Sequence, residues 1–374
     1  MERTAVKQEM KEMLCDFTSI IGVSGEEQDV VRAMAARLKP YADEVKVSTL
    51  GNLTAVKRGS RPGPTVLIAS HSDEIGFCVK YIYEDGFLAF DKIGGVPENL
   101  MVGRKVWIGR NRVPGVIGAK PGHLMTPEEA RTVRGAKDLY IDVACSSAGE
   151  VRALGIREGD RAVFADTVSE MANPDFLCGR AMDNRAGCTV VCELMKLCAD
   201  GDFAGTLVVG ATCREEVGMV GARALGHAVH PDYVIAVDTV PAGDTPDQPR
   251  RGLLPISIGK GPAVLLADGC DCSHQYGVFS SVHPAIRRAI ENQSAAQGLP
   301  VQWLSLVGFL STTDAAEYAY AGDGIPQASF TIPRRYSHSP VELLNVNDLV
   351  DMACLLQGIV EKENETINLD FLAD

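Results

Sequence analysis

Three continuous apolar runs stand out along the chain: Thr65-Val66-Leu67-Ile68-Ala69-Ser70, Thr206-Leu207-Val208-Val209-Gly210-Ala211 and Tyr233-Val234-Ile235-Ala236-Val237. Each is short and shows no polar alternation, the pattern of a strand covered on both faces. A fourth strand is predicted over residues 327–332, and a further one over 301–306. Helical spacing of Val6, Met10, Leu14 and Phe17 predicts a helix within residues 1–21. A second helix runs through Val30, Val31, Met34 and Leu38, opened by a capping box with Ser24 as N-cap and Glu27 three residues on. Residues 44–48 and 52–57 predict a hairpin around Thr49-Leu50-Gly51. After Asp183, a long helix carries Ala186, Val190, Val191, Leu194, Leu197 and Cys198 along one side. Helices are also predicted over 284–297 and about 346–360.

From about Gly76 to about Asp166 the pattern changes. Short β-like stretches (87–90, 105–108, 115–118, 139–143 and 162–164) alternate with Gly and Pro turns. Only brief helical patterns interrupt them, near 127–133 and 148–154. The expected fold is therefore α/β: a mixed, mostly parallel sheet sandwiched by helices, with a small β-rich insertion. Residues 1–75 and 166–374 would form the larger domain and residues 76–165 the inserted one. His123 falls in the insertion, where a structural or interface role is expected.

The chemistry gathers where the apolar runs stop. Ligands in open α/β sheets collect at the carboxyl ends of strands. The first run ends at His71, with Asp73 two residues on; the second leads to Glu215-Glu216; the third ends on Asp238. His338 follows the fourth strand, and Asp183 opens a helix, where the plain reading is an N-cap. On extended backbone, adjacent side chains point to opposite sides, so Glu215 and Glu216 suit two different tasks: Glu216 to hold a metal, Glu215 to move a proton. Together two His and three carboxylates would lie along one sheet edge. Zn²⁺ takes such ligands, and five of them serve two metals if one carboxylate bridges. A two-metal site suits displacement at a carbonyl, with a free carboxylate shuttling the proton.

Composition narrows the partners. The 374 residues carry a formal net charge of −13, which argues against nucleic acid or an anionic membrane as the main partner. A hydrophobic content of 46% with 23% charged residues describes a soluble globular protein. No apolar stretch after the N-terminus reads as a signal peptide, and none approaches the roughly 20 residues of a membrane span. Eleven scattered cysteines suit a reducing, cytoplasmic setting; Cys270-Asp271-Cys272 reads as a loop with two free thiols.

Five motifs, in order and over nearly the whole chain, resemble the glutamyl, deblocking and tetrahedral (TET-type) aminopeptidase family of dinuclear metallopeptidases, some of whose members carry an endoglucanase label. They are His71-Ser72-Asp73-Glu74-Ile75-Gly76, Ala181-Met182-Asp183-Asn184-Arg185-Ala186-Gly187, Glu215-Glu216-Val217-Gly218, Ala236-Val237-Asp238 and Arg335-Tyr336-Ser337-His338-Ser339-Pro340. Gly118-Ala119-Lys120-Pro121-Gly122-His123-Leu124 is similar to part of the family's PDZ-like inserted domain. The resemblance implies two divalent metal ions per subunit, Zn²⁺ first, with Co²⁺ or Mn²⁺ as alternatives. Asp183 would bridge them, His71 and Asp238 would complete one position, and Glu216 and His338 the other. Glu215 would be the general base, and Asp73 would orient His71. Substrates would be peptides with a free N-terminus, and self-association would run from dimers to a tetrahedral dodecamer. Ser311-Thr312-Thr313-Asp314 departs from a Gly-Gly-Thr-Asp turn common in the family, and Arg214 stands where a Gln is common. An amidase or deacylase on the same site is the nearer rival. An endoglucanase would need two facing carboxyl groups and would leave two ligand-type His without a task.

Overall fold

A computed structural model describes residues 3–247, 253–269, 279–307 and 312–373. Cys270-Asp271-Cys272 and Ser311 lie outside the described residues. Helices α1 (Arg3–Ser19) and α2 (Gln28–Leu38) precede the hairpin β1 (Glu44–Val47) and β2 (Leu53–Arg58), then β3 (Arg61–His71). Six strands follow: β4 (Gly76–Ile82), β5 (Phe87–Ile93), β6 (Lys105–Ile108), β7 (Val113–Gly118), β8 (Tyr140–Asp142) and, after α3 (Ala148–Ala153), β9 (Arg161–Phe164). The chain continues through β10 (Ser169–Glu170), β11 (Phe176–Gly179), α4 (Met182–Leu197), β12 (Ala204–Thr212), α5 (Val220–Val229) and β13 (Tyr233–Pro241). The last part holds β14 (Ala263–Gly269), β15 (Phe279–Ser281), α6 (Pro284–Gln297), β16 (Gln302–Val307), α7 (Ala315–Tyr318), β17 (Gln327–Arg334), β18 (Glu342–Asn345) and α8 (Val346–Gly358). None of the described helices is long and apolar enough to cross a membrane.

Among the described residues the main sheet has the order β1-β2-β12-β3-β13-β17-β14-β15, with β16 on β14. Its centre is parallel: β12 and β13 flank β3, and β17 pairs with β13. Side-chain alternation explains the apolar runs. Val66, Ile68, Val209 and Ile235 pack with α1, α2, α4 and α8 on one face. Leu67, Ala69, Val208 and Val234 pack with Ala222 and Leu225 of α5 and Tyr318 of α7 on the other. With both faces dry, every position favours an apolar side chain.

Between Gly76 and Phe164, strands β4-β5-β8-β7-β6-β9 close into an antiparallel barrel. It has its own core, in which Phe77 meets Phe90 and Phe164 edge-on at 5.3 and 5.2 Å. Strand β4 is not evident in the sequence pattern, because a register shift between Val79 and Tyr81 interrupts its alternation. Helix α5 and strand β14 also go unanticipated; α5 contains two glycines, which weaken a helical pattern.

Other local expectations are corrected. The capping box does not form: α2 starts at Gln28 without a side-chain cap. The Ser24 hydroxyl donates instead to buried Asp73 at 2.6 Å, and Glu27 accepts from the N–H groups of Gly25 and Arg214. A buried carboxylate has the stronger call on a hydroxyl than a helix end that water can serve. Strand β13 does not stop at Asp238 but runs on to Pro241, because β17 continues beside it.

Candidate metal centre

The parallel register brings the strand ends level. His71, the last residue of β3, pairs with Thr212 of β12, while Ala69 pairs with Ala236, two residues before Asp238. Past Thr212 the chain leaves the sheet. Arg214 takes a left-handed φ of 58°, and the Glu215 carbonyl accepts from Gly218 N at 3.0 Å and Met219 N at 2.9 Å. Glu215 and Glu216 therefore sit on a turn, and strand alternation is not what separates them. Asp183 is not a helix cap either: it and Asn184 have non-helical dihedrals within the first turn of α4. His338 lies between β17 and β18 with a φ of 56°.

These elements bring six side chains, His71, Asp183, Glu215, Glu216, Asp238 and His338, around one cavity of about 420 Å³. His71 Nε2 is 3.0 Å from Asp183 Oδ1 and 3.5 Å from Asp238 Oδ1. On the other side His338 Nε2 is 3.4 Å from Asp183 Oδ2 and 3.6 Å from Glu216 Oε2. Asp183 thus turns one oxygen to each histidine. Donor atoms of His71, Asp183 and Asp238 lie within 4.8 Å of one another, as do those of Asp183, Glu216 and His338. His71, Glu215 and Glu216 meet the same distance, so proximity alone does not separate a base from a ligand. His123 is on the barrel, in a short 3-10 turn after β7, and is not among the residues lining this cavity.

A hydrogen-bonded frame holds the cluster. Asp73 lies 3.4 Å from His71 Nδ1, which has no hydrogen-bond partner among the described residues, and its oxygens accept from the N–H groups of Glu215 (3.0 Å) and Glu216 (3.2 Å). It therefore ties the acidic turn to the end of β3. Buried Arg185 donates to the Ser72 and Asp73 carbonyls and to Glu74, fixing the loop after His71. Three partners escape sequence reasoning. Arg334 pairs with Asp183 and Glu342. Glu342 accepts from the N–H groups of Asp183 (3.1 Å) and His338 (2.9 Å). The Gly95 carbonyl, two residues past the end of β5, lies 3.2 Å from His338 Nδ1. A proton on Nδ1 would point there and leave Nε2 free to ligate. Arg334 directly precedes the Arg335–Pro340 motif and Glu342 follows it by two residues, so neither belongs to it, and nothing local signals Gly95.

The electrostatics are those of crowded anions. Burial pushes Glu215 well above the usual carboxylate range; His71 opposes this, and Asp238 and Glu216 add to it. Burial likewise pushes Glu216 up to about 8, His338 opposing and Asp183 adding. Burial alone would depress His71, yet Asp183, Asp238 and Asp73 raise it well above its ordinary value. Asp183 is the exception among the acids lining the cavity: against burial, Arg334, His338 and His71 hold it well below the usual range.

The residues fit divalent cations. Imidazole and carboxylate donors converge in three overlapping groups, and among the described residues Glu216 Oε1 is buried without a hydrogen-bond partner, a cost that a cation would remove. Met219, Val240 and Leu265 give the cavity an apolar wall, and Thr312 and Thr313, from the departing turn, also line it.

A profile of the family described as M42 glutamyl aminopeptidase matches residues 51–355. The chain belongs to that family. Over 350 residues it is 33% identical to a putative aminopeptidase of Acetivibrio thermocellus, covering 94% of this chain and 98% of the relative. The aminopeptidase APDkam598 from the archaeon Desulfurococcus kamchatkensis superposes with a TM-score of 0.90 at 30% identity, over 98% of this chain and 99% of that one. The TET1 peptidase of Pyrococcus horikoshii, which can assemble into a tetrahedron or a large octahedral shell, gives 0.80 at 29% identity over 94% and 99%. As an M42 member the chain is an aminopeptidase, a peptide hydrolase of the metallopeptidase class, and the family implies divalent metal ions.

Proposed function

We propose that this aminopeptidase removes N-terminal residues from peptides with a free amino end, using two divalent cations. His71, Asp183 and Asp238 hold one; Asp183, Glu216 and His338 hold the other. Zn²⁺ suits the donor set first, and Co²⁺ or Mn²⁺ also fit. The observation that carries this reading is the division of Asp183, one oxygen toward each histidine. Bound there, the cations would supply Lewis acidity to the scissile carbonyl and to the attacking water.

The protein's own groups do the rest. Glu215 takes the proton from the attacking water and returns it to the leaving amine. Asp73 fixes the Glu215 backbone and orients His71. The apolar wall at Met219, Val240 and Leu265 receives the substrate and keeps bulk water from it.

Chelator-stripped protein restored with single metals tests this on free and N-acetylated aminoacyl-p-nitroanilides. Loss and recovery of activity, with strong preference for the free amine, is the expected result. Turnover that survives chelation would sink the metal mechanism, and preference for N-acetyl substrates would favour the amidase reading.

In the same scheme residues 1–75 and 166–374 form the catalytic domain, and the barrel within 76–165 serves self-association, from dimers to a dodecamer. Support comes from the assembly of the TET1 relative and from exposed apolar barrel side chains, Tyr81, Leu124 and Val133 among them. Light scattering should give a dodecamer mass; a monomer at every concentration would exclude it.

A further inference from the structure

Arg334 ends β17 and is buried beside the cluster, 3% exposed. Its guanidinium has three acceptors. Nε donates to Thr239 Oγ1 at 2.6 Å, Nη1 to Glu342 Oε1 at 2.5 Å, and Nη2 to Asp183 Oδ2. That same Oδ2 faces His338, whereas Oδ1 faces His71. The two sides of Asp183 are therefore unlike: one looks onto an imidazole, and the other is shared with a permanent cation. Nor is the cation free to swing away. Thr239 on β13 and Glu342 on β18 hold it, and neither belongs to the donor set. Its departure would leave Glu342 as a buried, unpaired carboxylate, a costly state.

We infer that Arg334 is a positioning residue that makes the two cation positions unequal, weakening the Asp183–Glu216–His338 position relative to the His71–Asp183–Asp238 position. This rests on the two-cation reading above. A dication at the weaker position must share Asp183 Oδ2 with the guanidinium and sit in its like-signed field, where low dielectric makes repulsion strong. Glu342 offsets part of that field, but its oxygens are turned to the guanidinium and to the backbone N–H groups of Asp183 and His338. Among the described residues no comparable cation touches the other position, where Asp238 Oδ1 accepts from Thr239 N at 2.7 Å and faces His71. The consequence is regulatory: one position stays loaded while the other fills and empties with the free metal supply.

Calorimetric titration of the chelator-stripped full chain with Co²⁺, with equilibrium dialysis for stoichiometry, reads the inequality directly. Two ions are expected, the second bound about 100-fold more weakly than the first, the upper range for outer partners of a metal site. In Arg334→Met the gap should narrow at least about tenfold through tighter binding of the second ion, with the first unchanged. His338→Ala identifies the second ion by abolishing it in both backgrounds. A merely structural Arg334 would do the opposite, since its loss would loosen Asp183 and His338. Should Arg334→Met not fold, Arg334→Gln with Glu342→Gln removes the pair without stranding either charge and reads the same gap. Equal affinities in the wild type, or a second ion that weakens or stays unchanged on losing Arg334, would overturn this inference alone. Binding of no ion would overturn the two-cation reading, and this inference with it.

Discussion

The His71 side and the His338 side of the cluster share Asp183 and little else. His71 and Asp238 stand on adjacent parallel strands, whose register sets their separation. Both are buried, and Asp73 and Arg185 brace the loop just beyond them. His338 stands on a loop in a left-handed conformation, with its side chain 31% exposed. Its support comes from three separate places: the Gly95 carbonyl on the barrel, Glu342 on β18, and through Glu342 the guanidinium of Arg334. One half of the site is carried by the sheet. The other depends on loops, and so on how the barrel sits against the larger unit.

The largest effect should come from removing what the halves share. Asp183→Ala is expected to abolish detectable activity and to leave neither position with stoichiometric metal by dialysis. Retention of either ion at full occupancy would break the picture of one bridging carboxylate. Next, Glu215→Gln should keep both ions while lowering kcat by about 10³-fold, within the usual range for a general base. Near wild-type turnover would remove Glu215 from the mechanism. Loss of one ion in that variant would instead make Glu215 a ligand in the alternative His71, Glu215 and Glu216 grouping.

Asp73→Asn comes third. An amide nitrogen would face the N–H of Glu215 or Glu216, or the imidazole, so at least one charge-assisted bond is lost. The expected cost is about 1.5–3 kcal/mol of stability in urea unfolding, with kcat/KM falling alongside. An unchanged unfolding midpoint would mean that the acidic turn keeps its place without Asp73.

Legibility in the sequence follows the same division. His71 and Asp238 are legible because uniformly apolar strands, dry on both faces, announce where they end. Their common edge follows from the preference of ligands for the carboxyl ends of parallel strands. Glu215 and Glu216 are found for a reason that fails: they lie on a turn after Arg214, not on extended backbone. Ser24 misleads because its hydroxyl has a choice between a helix end and Asp73, and only the folded chain brings Asp73 within reach. The roles of Arg334, Glu342 and Gly95 are tertiary throughout. Gly95 reaches His338 across a sequence separation of 243, and no local pattern encodes such a meeting.

Gly95→Ala should give the smallest effect and the sharpest separation of the halves. A Cβ there would lie 2.7 Å from His338 Nδ1, closer than such atoms come, so the imidazole must shift. Because His338 is partly exposed it can give way, and the stability change should stay within about 0.5 kcal/mol, as for other surface substitutions. The shift nonetheless turns Nε2 away from Asp183 and Glu216, and loses the carbonyl that orients the ring. The second ion should therefore bind roughly tenfold more weakly, the lower range for loss of an outer partner, while the first ion keeps its affinity. Weakening of both ions together would mean that a strain on the barrel loop passes through Asp183 to the sheet. The two sides would then be one mechanical unit rather than a sheet-borne half and an adjustable one.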